Sequence, residues 1–119
     1  MVTAELNPAH IETAIRACAE RIAKGVMVCD ERYRTFLEAD HLYDVAFAGA
    51  YLTSTGAAHE KRYVAELGTQ EQRRNRDVAD AAYRYADRQA RALESELRAW
   101  QSVNASVRAM FAVAGTGER

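Results

Sequence analysis

The sequence predicts an all-α protein: an elongated helical hairpin or bundle with a long coiled-coil-like C-terminal helix, assembled as an oligomer. Three observations carry this. Pro8 is the single proline and only six glycines interrupt 119 residues, too little punctuation for the many turns of a sandwich or barrel. Ile11, Ile15, Cys18 and Ile22 recur at 4-3-4 spacing, one apolar stripe on a helix. From Ala79 to Ala114 the inward positions alternate four and three without a gap, a mean period of about 3.5 that lets a helix follow a partner. A single helical domain over 1–119 is expected, with helices at about 8–24, 31–54, 57–67 and 69–114.

Asn7-Pro8 opens the first helix, because the Asn side chain caps free amides and proline at the first position sacrifices no hydrogen bond. The stripe continues through Val26, Cys29, Tyr33, Phe36, Asp40, Tyr43, Phe47 and Ala50, which describes one helix of more than forty residues. Gly25 and Asp30 favour a break within 25–30 instead: a mid-helix glycine costs about 1 kcal/mol and Asp30 can cap a new start. On either reading the Val26-Met27-Val28-Cys29 run is expected to be buried.

The 31–54 segment is rich in aromatics and ends at Thr53-Ser54-Thr55-Gly56, where Gly56 suits the left-handed terminal conformation. A short helix then leads to Gly68. Thr69-Gln70-Glu71-Gln72 reads as a capping box opening the last helix.

In that helix Tyr83, Ala90, Leu97, Asn104 and Phe111 take a positions, and Ala86, Leu93, Trp100, Val107 and Ala114 take d positions. Val103 and Met110 at g widen the seam beyond two strands. The oligomer seam is therefore assigned to Leu93, Leu97, Trp100, Asn104, Val107, Met110 and Phe111, in a multi-helix bundle. Asn104 is read equally as a register-fixing pair across subunits or as a polar residue bonded within its own chain. The same pattern suits an intramolecular hairpin against 9–54, whose remaining apolar edges would serve a second subunit.

The net charge is −1, so no global positive field advertises nucleic acid. Residues 1–68 carry seven Lys/Arg against ten Asp/Glu, whereas 69–114 carry eight Arg against six acids. Cys18 and Cys29 lie on apolar stripes and read as reduced structural thiols. The opening residues lack a basic, hydrophobic leader and no run approaches the roughly 18 to 20 apolar residues of a membrane span. The expectation is a cytoplasmic protein with no membrane partner.

Nothing in the sequence converges on chemistry. His10, His41 and His59 are far apart, and there is no HExxH, CxxC or phosphate-cradling glycine loop. Asp40-His41 with Asp44 is read as a solvated acidic face, His59-Glu60-Lys61-Arg62 as a salt-bridged surface. No metal, no cofactor and no catalytic residue is assigned, and the chain is expected to be a non-enzyme.

The arginines offer more. Arg84, Arg91 and Arg98 repeat every seven residues on an outward face, with Arg88 beside them and Arg73, Arg74 and Arg76 clustered where the helix begins. Guanidinium forks suit phosphate, and outward Tyr85 can stack on a base. These eight residues are the nucleic-acid-binding candidates. Interspersed Asp87, Glu94 and Glu96 give the competing reading, a mixed-charge bundle surface.

Ala50-Tyr51-Leu52, Gly56-Ala57-Ala58-His59-Glu60-Lys61-Arg62, Ala81-Ala82-Tyr83-Arg84-Tyr85-Ala86, and Arg91-Ala92-Leu93-Glu94 through Gln101-Ser102 resemble a group of small helical proteins of tailed bacteriophages, over about 40–110. The group's Gly-Thr followed by Glu-Arg-Lys is matched by Gly56-Ala57 and Glu60-Lys61-Arg62, with the basic pair in altered order; its Gln-Ser corresponds to Gln101-Ser102, followed by Ala105-Ser106. The resemblance implies a product of the early replication and recombination region, an oligomeric accessory that binds single-stranded DNA or a recombinase. The alternative is a phage protein that binds and modulates a host protein through an exposed helical face. No active residue carries over.

Overall fold

The computed structural model describes residues 7–117, with side chains through residue 115. Three helices account for most of them: α1 Pro8–Thr53 (46 residues), α2 Ala58–Gly68 (11) and α3 Gln70–Gly117 (48). There is no strand among the described residues. At the standard rise α3 is about 72 Å long.

The helix ends follow from local chemistry. Asn7 Oδ1 accepts the Ala9 amide at 2.8 Å, and the Asn7 carbonyl accepts the Ile11 amide at 3.0 Å, so the cap expected from Asn7-Pro8 is formed. At the far end Thr53 Oγ1 donates to the Gly49 carbonyl at 2.9 Å and Ser54 Oγ to that of Ala50 at 2.6 Å. The Ala50 carbonyl is among the last four of the helix, which lack an intrahelical amide partner, whereas the Gly49 carbonyl lies one residue before them. Gly56 then turns the chain with φ +109°, a conformation that costs an L side chain strain.

α1 runs unbroken through Gly25 and Asp30, where the sequence predicts two helices. Asp30 ion-pairs with Arg34 one turn on, at 3.0 Å, instead of capping a new start. The glycine penalty is local, about 1 kcal/mol, and does not outweigh a ladder continuous on both sides. Val26, Met27 and Val28 are exposed, contrary to expectation. Gly25 and Cys29, four apart and half-buried, occupy the inward line, so the three residues between them fall on the other sides of the helix.

The chain divides into two units, one from α1 through Met27 with α3 from Arg88, the other spanning Val28–Asp87. In the first, Ile11, Cys18 and Val107 are buried, each large aliphatic contributing about 1.5 to 3 kcal/mol. The Cys18 thiol donates to the Leu93 carbonyl at 3.3 Å, and Arg21 meets Glu96 at 3.4 Å.

The second unit is an antiparallel hairpin. Tyr51 meets Lys61, Tyr43 and Asp40 meet Arg76, and Tyr33 meets Tyr83, so positions on α1 fall as those on α2 and α3 rise. Its buried apolar residues are small: Ala65, Ala79 and Ala86. Half-buried rings, Phe36, Tyr43, Phe47, Tyr51 and Tyr83, fill the layer around them.

Between α2 and α3 the expected capping box does not form. Thr69 is buried and its hydroxyl donates to the Ala65 carbonyl at 2.6 Å, which ties it back to α2 and takes it away from the amides of α3. Gln72 Oε1 is buried with no hydrogen-bond partner, so it does not reach back to Thr69.

Candidate functional site

Each arginine candidate is placed by its position around α3, where successive residues advance by about 100°. In the hairpin unit, Arg73 and Arg74 are exposed. Arg76 is not on their face: its side chain is 28% exposed, its guanidinium lies 4.6 Å from the Tyr43 ring centroid, and it reaches Asp77 at 3.2 Å and Asp40 at 3.9 Å. It faces the interior of the hairpin because 76 belongs to the inward series, and it is withdrawn from the phosphate-contacting set. Arg84 remains outward, but its Nε lies 3.1 Å from both carboxylate oxygens of Asp80. Such an exposed pair contributes about 0.3 to 0.5 kcal/mol. Tyr85 is 56% exposed and engages other groups of the chain.

In the other unit Arg88, Arg91 and Arg98 are exposed. Arg98 Nη2 is 3.3 Å from Ser95 Oγ, and Arg91 too engages other groups of the chain. Exposed guanidinium groups therefore occur in both units, with acids interleaved.

The seam residues divide differently from expectation. Leu93, Leu97, Trp100 and Asn104 are half-buried and Val107 is buried within the first unit, with the Cys18 thiol of α1 bonded to Leu93. This stretch packs inside its own chain. Met110 and Phe111 are exposed, Phe111 by 60%, and Ala114 is exposed as well. The described α1 begins at Pro8, and the last turns of α3 pass beyond it, so the periodicity continues where no described helix remains to cover it.

The inward series also starts earlier than the apolar letters suggest. Thr69, Gln72 and Arg76 precede Ala79 at the same three-four spacing, and all are buried or half-buried. With Asp40 they make a polar stretch in the hairpin seam. Asp40, read from sequence as part of a solvated acidic face, is an inward partner of Arg76. The signal was the spacing itself, followed through polar residues.

One flank of the hairpin differs from the other in chemistry. On the first, α1 presents Ala39, Leu42, Ala46 and Gly49, and α3 presents Val78, Ala82 and Tyr85. The three alanines are half-buried; Leu42 is 53% and Val78 64% exposed. A Cβ placed on Gly49 would meet nothing within 4 Å. On the opposite flank stand Leu37 and Asp44 of α1 with Arg73, Asp80 and Asp87 of α3. The named positions of the first flank are uncharged, with exposed Arg32 and Glu71 one heptad before Ala39 and Val78 on the same faces, whereas the opposite flank is mainly charged.

Burial pushes the Cys18 thiol above the ordinary thiol range, with Glu96 adding to the shift. Both cysteines are free. His10, His41 and His59 are exposed. Among the described residues no group of three His, Cys, Asp or Glu is placed to hold a metal ion, and no helix is long and apolar enough to cross a membrane.

No protein-family model matches this sequence, and neither a curated protein nor a solved structure does.

Proposed function

We propose that this is a non-catalytic helical accessory protein that works by protein contact through the apolar flank of its hairpin unit. The observation that carries the reading is the exposure of Leu42 and Val78 beside half-buried Ala39, Ala46 and Ala82. Large apolar side chains rimming a small-residue floor form the kind of surface a helix packs into. A phage replication and recombination setting, with a recombinase or a host protein as a partner, is supported by the sequence resemblance alone.

A pull-down of the full chain from nuclease-treated bacterial lysate tests the reading when run beside a Leu42→Asp, Val78→Asp variant. A partner or second copy retained by the parent and lost by the variant supports protein contact at this flank. Equal retention by both overturns it.

A second reading, binding of single-stranded DNA, is favoured by exposed Arg73, Arg74, Arg88, Arg91 and Arg98. Its test is a salt titration of a fluorescent oligonucleotide, since phosphate contacts weaken steeply as salt rises. Absence of binding at low salt removes this reading and leaves the first untouched.

A further inference from the structure

We infer that Val2, Ala4 and Leu6 form an apolar strap that closes the open end of the α1–α3 packing, over Ile11, Val107 and Phe111. The strap lies in the first unit and does not depend on the hairpin flank.

Three isoleucines on one stripe of α1 show that this end is covered. Ile15 and Ile22 are half-buried, as expected where two helices pack alone and leave their sides to solvent. Ile11 is 0% exposed, although it is only the fourth residue of the helix. Val107 is 4% exposed. Counting at equal rise along antiparallel helices from the Cys18–Leu93 and Arg21–Glu96 contacts places Val107 level with the start of α1, where the cover from that helix runs out. Two helices do not account for burial that is deepest at their open end.

The residues outside the described chain ends are Met1-Val2-Thr3-Ala4-Glu5-Leu6 and Glu118-Arg119. The second pair is charged and cannot cover isoleucine without a desolvation cost. In the first stretch Val2, Ala4 and Leu6 alternate with Thr3 and Glu5, which places the three on one face of an extended chain. Leu6 directly precedes the Asn7 cap, and Ile11 is the fourth helical residue after it. Apolar residues at those two positions pack together as a hydrophobic staple, which fixes the direction in which the chain enters the helix.

Length allows the rest of the strap to follow α3. Four extended steps from Leu6 to Val2 span roughly 13 Å, and the seven residues from Val107 to Ala114 span roughly 10 Å along the helix. Phe111 and Ala114 continue the inward series that α1 covers further back, so the strap extends an existing packing surface. Phe111, 60% exposed, is the part of that surface still open to it.

The test is cross-linking in the full chain with Cys29→Ser. One protein carries Val2→Cys and Phe111→Cys, the other Val2→Cys and Ala109→Cys, since 109 stands on the outer face at nearly the same height. Both are treated at low micromolar concentration with a short bismaleimide, and rates are normalised to those with a one-armed maleimide. The 2–111 pair is expected to bridge within the monomer about tenfold faster than the 2–109 pair, and Leu6→Ser should bring the two rates together. Equal rates without Leu6→Ser overturn the strap. So does a 2–111 bridge confined to dimer-mass species, which assigns the cover to a second copy, or a preference that Leu6→Ser leaves unchanged.

Discussion

The thiol of Cys18 on α1 donates a 3.3 Å hydrogen bond to the carbonyl of Leu93 on α3, in a unit where Cys18 is 1% exposed. Sulfur is a weak donor, so the bond matters mainly as evidence of close approach. We expect Cys18 to alkylate with iodoacetamide far more slowly than half-buried Cys29, read by peptide mass spectrometry. Equal rates would mean that α1 and α3 do not pack at this level.

The same thiol sets a pH dependence. Its folded pKa is raised by burial first and by Glu96 second, so the native state holds the proton at pH values where the unfolded chain has released it. Stability is therefore fully present below the ordinary thiol pKa and declines as pH rises above it, toward the folded value. Urea melts of the parent and Cys18→Ala across the alkaline range check this: the decline should be shallower in Cys18→Ala.

Gly56 should not tolerate a side chain. Its φ of +109° makes Gly56→Ala costly by about 1 to 2 kcal/mol, whereas the close approach of an added Cβ to Glu60 Oε2 is relieved by movement of a flexible carboxylate. Gly25 should behave oppositely. It lies mid-helix with nothing within 4 Å of an added Cβ, and Gly25→Ala should stabilise by about 0.5 to 1 kcal/mol. Denaturant midpoints of the two variants should move in opposite directions.

Arg76 is expected to act on stability. Arg76→Ala removes the contact with the Tyr43 ring and leaves half-buried Asp40 without its cation, at a cost of about 1 to 3 kcal/mol. Arg74→Ala, on the solvent face, should lie within about 0.5 kcal/mol of the parent. Similar losses at both positions would show that Arg76 is a surface residue after all.

Much of this was legible in the sequence, and the failures have physical causes. The Asn7 cap and the Gly56 turn were readable because each rests on one residue's local chemistry. The three-four series of α3 was readable because periodicity survives whatever packs against it. Periodicity does not say whether the partner helix belongs to the same chain, and Leu93, Leu97, Trp100 and Asn104 pack within theirs. A hydrophobic-letter reading also stopped at Ala79, although Thr69, Gln72 and Arg76 continue the series inward with polar side chains. Gly25 and Asp30 suggested a break that a continuous ladder overrides, and the Arg76 assignment failed because a guanidinium over an aromatic face serves packing as readily as phosphate.

Asn104 follows from that intrachain placement. It is half-buried in the first unit, so Asn104→Leu should leave the solution mass unchanged. A changed mass would return register control to an interchain seam.

The most direct test of the central claim, that the α3 seam is occupied by α1 of the same chain and leaves outer faces for partners, is short-range cross-linking between Tyr33→Cys and Tyr83→Cys in a Cys29→Ser background. The parent rings lie 5.0 Å apart between centroids. With a short bismaleimide at low micromolar concentration, intact mass should show a monomer bridged by one linker. Bridging found only in dimer-mass species would contradict the account.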